Sequence, residues 1–448
     1  MSSLPDYTVL DPAIERLAPE KLHELQSERL SAMVQYVYER TPFWRSRLDA
    51  AGVHPRDVRG VDDLVHLPFC TREDVEADQA AHPPFGSYVA CDRSSLTRFM
   101  TTSGTTGRPL TRVCSARDWR YILDRFQRNP RVSAGDVVLV LGPIDGLMGP
   151  MASTESAARA GALVVLAGLH DTRTKLRMIE QLRPRIVTGT ATYLLHVGAM
   201  ARDVGIDLRE LEISTVASVG EPGAAIPSTR RRLVETWGAT VTDGYGLTEL
   251  FPLGGGCAYS TSLHIASDFV ITEIVDPATG HPVADGEPGE VVYTNIIGDT
   301  QPLLRYRTRD VARFANGGPC GCGFTGVRLR DSVEGRVDDM IWYRGVNVFP
   351  SAIESVVRAI PELGDEYEIV VDRERPLPTM TLRVEVTRGI ERAALVDLEK
   401  RLQAALIPAI RVALQIELLE PGALPRLDGN GKRRRVVDRH SPRGAAHC

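Results

Sequence analysis

The densest grouping of chemistry-bearing residues in the chain is Thr101-Thr102-Ser103-Gly104-Thr105-Thr106-Gly107-Arg108-Pro109. Five hydroxyls and two glycines within nine residues suit an anionic oligophosphate, because the hydroxyls donate and residues without a Cβ let backbone N–H groups come close. This is not a Walker loop, since no Gly-Lys-Ser/Thr follows and no helix is expected to begin here. The β-like runs at 96–100 and 110–114 place it at the tip of a hairpin. An ordinary polar turn uses the same residue types, so the string alone leaves both readings open.

A second grouping is Cys257, His264, Cys320 and Cys322. Three thiols and one imidazole suit a closed tetrahedral zinc site of structural type. The turn-rich stretch Gly317-Gly-Pro-Cys-Gly-Cys-Gly lets two thiolates converge on one ion. The spacing is less regular than paired Cys-x-x-Cys knuckles, and unrelated reduced cysteines are the alternative. Cys70, Cys91 and Cys114 are scattered and Cys448 is the last residue, so seven cysteines in 448 residues make no disulfide scaffold.

The elements that must position these groups follow from periodicity. At 448 residues the chain exceeds a single hydrophobic core, which stops growing near ~250–300 residues. Residues 11–50 are helical, with Leu22, Leu25, Leu30, Met33, Val34 and Val37 mostly three or four apart. Buried strands are predicted at 137–141, 163–166, 185–188 and 215–219, alternating with helices at 154–159, 172–182, 193–204 and 228–237. Such alternation gives a mainly parallel sheet covered on both faces, with ligands at the carboxyl ends of its strands. A β-rich region follows at 269–275, 290–295 and around Tyr306, punctuated by the turn strings at 277–280 and 285–289. After 337 the pattern restarts: a strand at 340–343, a helix from Pro350, strands at 368–371 and 379–386, and a helix at 391–406. The predicted fold is therefore α/β, with a large N-terminal domain (1–337) of mainly parallel sheets and a β-rich subdomain at about 250–335. A small α+β C-terminal domain (338–448) completes it.

Composition excludes several function classes. A net charge of −5 and a pI near 6.1 leave no basic footprint for nucleic acid, and the basic run Arg433–Arg435 reads as a solvated segment. The longest apolar runs, such as 162–167, are too short to span a bilayer. The opening Met-Ser-Ser-Leu-Pro-Asp has no basic stretch followed by an apolar run, so a cytoplasmic protein is expected.

Further strings recur in a telling order. Asp243-Gly-Tyr-Gly-Leu-Thr-Glu249, Tyr306-Arg-Thr-Arg-Asp310, Gly335-Arg-Val-Asp-Asp339 with Arg344-Gly-Val-Asn-Val, and Pro425-Arg-Leu-Asp-Gly-Asn-Gly-Lys432 follow the hydroxyl-rich loop. Together with that loop they resemble the ordered motifs of the adenylate-forming enzymes, the superfamily of acyl-CoA synthetases, luciferases and adenylation domains. The strings at 304–310 and 344–351 are similar to those of its phenylacetate–CoA ligase branch. The resemblance implies ATP-dependent conversion of a carboxylic acid to an acyl-adenylate, then transfer to coenzyme A. It implies that Ser103, Gly104, Thr105, Thr106 and Gly107 cradle the β- and γ-phosphates of ATP. Tyr245, with Asp243 and Gly246 beside it, stacks on adenine; Gly220, Glu221 and Pro222 line the adenine and acid pockets. Thr248 contacts the α-phosphate and Glu249 binds Mg2+, a hard cation that takes oxygen ligands. Asp310 accepts from the ribose hydroxyls, and Arg336 lies near ribose or phosphate unless it only pairs with Asp338 or Asp339. Lys432 bridges carboxylate and α-phosphate, and Asp338 is the hinge about which the small domain turns between half-reactions. Relatives with a similar Cys/His cluster favour zinc at Cys257, His264, Cys320 and Cys322.

The acid is the least determined partner. By the same resemblance, residues 141–150 help form its pocket. This chain has Ile144, Asp145, Leu147 and Met148 there, where phenylacetate-type enzymes tend to place aromatics. An aromatic acid remains the expectation for the class, with phenylacetate itself less favoured. Asp145 is read either as a turn aspartate or as a partner for an amino or hydroxyl group. Coenzyme A is the expected acceptor, with an acyl carrier protein or an amine as alternatives. A homodimer is the assembly the branch suggests.

Overall fold

A computed structural model describes residues 3–102, 109–128, 132–144, 146–338, 340–344, 346–372, 379–425 and 435–438. Contacts within the chain gather into two compact units, Met1–Leu166 with Thr242–Ser332, and Ala167–Val241 with Val333–Cys448.

In the first unit the predicted N-terminal helical stretch is two helices, Pro19–Arg40 and Pro42–Ala50. Pro42 lacks the N–H that would continue the first helix. Thr41 bridges the break: its hydroxyl donates to Val37 O at 2.8 Å and accepts from Trp44 N at 3.3 Å, capping the second helix. Leu30, Met33, Val34 and Val37 are buried as their spacing predicts. The hairpin Leu96–Thr101 and Thr111–Ser115 is antiparallel, with Thr101 opposite Thr111, so the hydroxyl-rich segment does connect two strands. Val137–Val140 and Leu163–Leu166 pair in parallel across the helix Met148–Arg159. The expectation that 163–166 is buried fails: this strand ends its sheet, and Leu163 and Leu166 are 56% and 51% exposed.

The β-rich region is antiparallel. Val270–Val275, Gly289–Asn295 and Tyr306–Ala312 form successive neighbours. A second run joins Thr240–Gly246 to Pro252–Cys257, Ser260–Ile265 and Arg328–Leu329. The pair Pro252–Cys257 and Ser260–Ile265 is not anticipated by the sequence pattern, because Gly254-Gly255-Gly256 carries no β-forming side chains.

In the second unit Ile186–Gly189 and Thr215–Val219 pair in parallel. Helices Thr172–Leu182, Ala191–Asp203 and Pro227–Trp237 accompany them. The C-terminal part is a mixed sheet in the order Gln415–Leu419, Thr379–Val386, Leu363–Asp372, Val436–Asp438. Helices Pro350–Ala359 and Leu395–Ile410 pack on it through Ile353, Val357, Leu402 and Leu406. Arg232 ties the helix Pro227–Trp237 to this part, donating to Asp365 Oδ1 and Leu363 O, both at 2.9 Å. Both units thus combine helices with sheets, and parallel pairs among the described residues include Val137–Val140 with Leu163–Leu166, Ile186–Gly189 with Thr215–Val219, and both end strands of the C-terminal sheet.

Candidate active site

Ser103, Gly104, Thr105, Thr106 and Gly107 lie outside the described residues, but the neck that carries them is well tied. Thr102 N donates to Leu110 O at 3.0 Å and Leu110 N donates to Thr102 Oγ1 at 3.0 Å. Thr101 N donates to Gly146 O at 3.0 Å, which fixes the 141–150 stretch beside the hairpin. Asp145 lies outside the described residues.

Asp310 is aimed by a backbone irregularity. Strand Tyr306–Ala312 slips register against Gly289–Asn295 between Glu290 and Val292, and Arg309 takes a left-handed φ of 64°. A bulge of this kind redirects the side chain that follows. The buried Glu290 holds it, accepting from Arg309 N at 3.0 Å and from Arg307 Nε at 2.9 Å. The result brings together two residues picked from separate motifs: Tyr245 OH donates to Asp310 Oδ2 at 2.7 Å. Burial, reinforced by the Asp310 carboxylate, pushes the Tyr245 phenol pKa well up. The phenol is therefore a neutral donor, and the Asp310 carboxylate is presented beside an aromatic face.

Tyr245 and Gly246 end the strand Thr240–Gly246. A Cβ on Gly246 would stand 2.9 Å from Pro252 Cα, so only glycine allows the next strand to approach there. Asp243 lies on the same strand and accepts from Ser332 Oγ at 2.9 Å. Thr248 and Glu249 sit in the turn that follows, closed by Leu250 N donating to Leu247 O at 3.1 Å. Glu249 accepts from Arg72 Nη1 at 3.1 Å. Tyr306 is close by: burial, with a contribution from the Glu249 carboxylate, pushes its pKa well up.

Sequence reasoning did not select Arg72. It opens the helix Arg72–Ala81, whose capping box pairs Thr71 with Asp74. Besides Glu249 it donates to Glu76 Oε1 at 2.7 Å and to Thr102 Oγ1 at 3.4 Å.

Gly220, Glu221, Pro222 and Arg336 belong to the second unit. Gly220 has a φ of 89°, a backbone shape that disfavours any side chain. Glu221 Oε1 accepts from Thr192 N at 2.5 Å, a free amide in the first turn of helix Ala191–Asp203. Pro222 begins the turn Pro222–Ala225. Arg336 pairs with Asp338, Nε to Oδ1 at 2.9 Å and Nη2 to Oδ2 at 3.1 Å. Lys432 and Asp339 lie outside the described residues.

One buried titratable group near this helix also escaped the sequence. Lys175 donates to Tyr193 OH at 3.0 Å and lies 4.6 Å from the Tyr193 ring centroid. Burial lowers its pKa to about 8, against a small opposing effect of Asp171. Below pH 8 both folded and unfolded chains carry the proton and the full cost of burying it is present. As pH rises from 8 towards 10.5 the folded amine loses its proton first, and stability increases. Lys175→Met is therefore expected to stabilise the protein at pH 7, by on the order of 1 kcal/mol once solvent screening and the lost hydrogen bond to Tyr193 OH are set against the shift. It should also abolish the rise in thermal midpoint between pH 8 and 10.5. A variant that keeps that rise assigns the titration to another group.

Cys257, His264, Cys320 and Cys322 do converge, their ligand atoms all lying within 4.8 Å of one another. Cys257 and His264 come from the paired strands Pro252–Cys257 and Ser260–Ile265. Cys320 and Cys322 come from a tight knuckle, with Cys320 N donating to Phe324 O at 2.9 Å and Gly323 N to Cys320 O at 2.7 Å. Cys257 Sγ and Cys320 Sγ are 3.7 Å apart, and Cys322 Sγ is 3.9 Å from His264 Nδ1. Thiolates ~2.3 Å from a tetrahedral ion stand roughly 3.8 Å apart, so the donor set fits zinc. Phe324 stacks on the imidazole at 4.3 Å and holds its plane.

The comparisons with known proteins agree with this geometry. The AMP-binding enzyme family pattern matches residues 20–296, and the pattern of the AMP-binding enzyme C-terminal domain matches residues 345–440. The chain is 34% identical to a phenylacetate–coenzyme A ligase of Thermus thermophilus, over 95% of this chain and 98% of that one. It is 31% identical to a phenylacetate–coenzyme A ligase of Aromatoleum evansii, over 96% and 97%. Its fold superposes on a 2-hydroxyisobutyryl-CoA ligase crystallised in a post-adenylation state with an acyl-adenylate. That match has a TM-score of 0.89 and 28% identity, covering 98% of this chain and 94% of that one. The chain belongs to the AMP-binding enzyme family, in its phenylacetate–coenzyme A ligase branch. It is an AMP-forming acid–coenzyme A ligase: a carboxylic acid is activated to the acyl-adenylate, and the acyl group then passes to coenzyme A. Among the described residues no helix is long and apolar enough to cross a membrane.

Proposed function

We propose that the acid is aromatic, that Mg2+ joins Glu249 and the nucleotide phosphates, and that the Cys/His cluster holds a structural zinc ion. The observation that carries the adenylation chemistry is the pairing of Tyr245 with Asp310 at 2.7 Å, one turn from Glu249. An aromatic platform, a carboxylate for two ribose hydroxyls and a carboxylate for a cation are the groups that an adenylate requires. In this reading Ser103–Gly107 take the β- and γ-phosphates, Thr248 meets the α-phosphate, and Gly220–Pro222 line the base and acid pockets. Lys432 neutralises the two anions that must meet. Asp338, paired with Arg336, is the hinge between a large domain ending near 337 and the small domain of 338–448. The site of action is the cytoplasm, where ATP and coenzyme A are supplied.

An aromatic acid is supported by the names of the two phenylacetate–CoA ligases aligned over nearly the whole chain. A small branched hydroxy acid is the second reading. It is favoured by the aliphatic Ile144, Leu147 and Met148 in the 141–150 stretch and by the 2-hydroxyisobutyryl-CoA ligase neighbour. The two are separated by acid-dependent ATP–pyrophosphate exchange over arylacetic, benzoic and branched 2-hydroxy acids. The aromatic reading expects the highest kcat/KM with an arylacetate or benzoate, by at least about tenfold, the worth of one well-filled apolar pocket. A preference for 2-hydroxyisobutyrate would overturn it. Thioester formation with coenzyme A, but not with a carrier protein, is expected in the same assay.

A further inference from the structure

Among the described residues, Arg72 is the cation that the structure places against both Glu249 and the neck of the phosphate hairpin. Its position is fixed by the strand that carries Asp310: Cys70 bridges to Tyr306 in parallel, with Cys70 N donating to Arg305 O at 3.0 Å and Arg307 N donating to Cys70 O at 2.8 Å. The capping box then starts the helix at Arg72. From this anchor the guanidinium reaches three elements. Nε donates to Glu76 one turn along at 2.7 Å, Nη1 to Glu249 at 3.1 Å, and Nη2 to Thr102 Oγ1 at 3.4 Å. The Glu76 contact sets the plane of the fork, so the other two arms are directed and not merely near. Thr102 Oγ1 is the atom that also accepts from Leu110 N across the hairpin neck.

We propose that Arg72 is a positioning residue for adenylation, which holds Glu249 and the hairpin neck in register and exchanges Glu249 for the nucleotide phosphates when a divalent cation binds. The physical basis is competition for one carboxylate. Glu249 is only 10% exposed, and a carboxylate so nearly buried is costly without a counter-charge. Arg72 supplies that charge permanently, since guanidinium does not lose its proton. A divalent cation at Glu249 removes the need for it. The released arm then lies beside Thr102, the residue that leads into Ser103–Gly107, and a guanidinium fork there matches phosphate oxygens. Nucleotide-free protein is thereby kept from collecting divalent ions without ATP, and the two ligands are coupled. The inference rests on the reading of Glu249 as the Mg2+ ligand.

The test compares wild type, Arg72→Met, Arg72→Lys, Glu249→Gln and Arg72→Met/Glu249→Gln. Mn2+ binding to nucleotide-free protein is measured by electron paramagnetic resonance, and KM for ATP by pyrophosphate exchange. Arg72→Met is expected to bind Mn2+ about tenfold more tightly, while its KM for ATP rises about tenfold, the worth of one charge-assisted contact. Arg72→Lys keeps the charge without the fork, so Mn2+ affinity stays near wild type while KM for ATP still rises; this variant also stands in should Arg72→Met not fold. Glu249→Gln in the double variant should erase the gain in Mn2+ affinity. If Arg72→Met binds Mn2+ as wild type does while Glu249→Gln weakens it, the role of Arg72 is overturned and Glu249 remains the ligand. If Glu249→Gln leaves Mn2+ binding unchanged in both backgrounds, the reading of Glu249 falls, and the exchange proposed for Arg72 falls with it. A merely structural Arg72 would lower the thermal midpoint and leave both affinities alone.

Discussion

Replacing Lys432 with alanine is expected to lower acid-dependent ATP–pyrophosphate exchange by about two to three orders of magnitude, while coenzyme A thioester formation from preformed acyl-adenylate stays within about threefold of wild type. The argument is electrostatic. Adenylation brings a carboxylate against an α-phosphate, and both are anions in a site from which water is being excluded. A positive charge present at that encounter stabilises the transition state more than the separated reactants. Thioester formation begins from a mixed anhydride in which that charge pair no longer exists. On the proposed role, the same lysine is expected to be needed in one half-reaction and dispensable in the other. Lys432 lies in Gly-Asn-Gly-Lys-Arg-Arg-Arg, so loss of one charge among four barely alters the field of the segment. A specific effect cannot then be ascribed to net charge. Arg434→Ala is the matched control and should leave both half-reactions near wild type. Equal losses in the two half-reactions for Lys432→Ala would assign the lysine to folding or to domain docking. Unchanged exchange would remove it from the chemistry altogether.

Most of what positions the site is written locally and was legible. The helix at 172–182 and the strands at 163–166, 215–219 and 379–386 have the observed bounds, because each has a strong period and a turn at either end. The grouping of Cys257, His264, Cys320 and Cys322 was expected from side-chain type together with the resemblance, and the structure brings the four together. What was not legible depends on partners far away in sequence. Arg72 reaches Glu249 across 177 positions, and no motif surrounds it. The aim of Asp310 depends on a bulge at Arg309, a residue type with no preference for positive φ. Lys175 belongs to no motif, yet its side chain is enclosed beside Tyr193. The exposure of Leu163 and Leu166 escaped for the same reason: an apolar run cannot say whether a neighbouring strand will cover it.

Loss of one cluster thiol is expected to be the largest stability effect of any single substitution in the β-rich region. Cys320→Ser should lower the thermal midpoint by about 10 °C, with bound zinc falling from about one ion per chain to near none by elemental analysis. The magnitude follows from what the cluster holds together. The strands Pro252–Cys257 and Ser260–Ile265 present Cys257 and His264, and their glycines at 254–256 contribute no side-chain packing of their own. The knuckle around Cys320 and Cys322 offers two backbone hydrogen bonds and little apolar surface. Without an ion, three thiols this close repel one another as thiolates. Burial, with the nearby thiols, raises the Cys322 pKa to about 11, whereas at Cys320 hydrogen bonds from Cys322 and Cys257 outweigh burial and lower it. A cation reverses that balance and converts mutual repulsion into a staple between knuckle and hairpin. Such a staple would sit on the run of strands that ends in Tyr245 and Gly246, so its loss should weaken nucleotide binding as well as lower the midpoint. Cys91→Ser, outside the cluster, should change neither zinc content nor stability. Zinc retained at about one ion per chain in Cys320→Ser would show that the metal sits elsewhere. Absence of zinc from the wild type, with full stability after exhaustive chelation, would leave the four side chains as a reduced polar cluster.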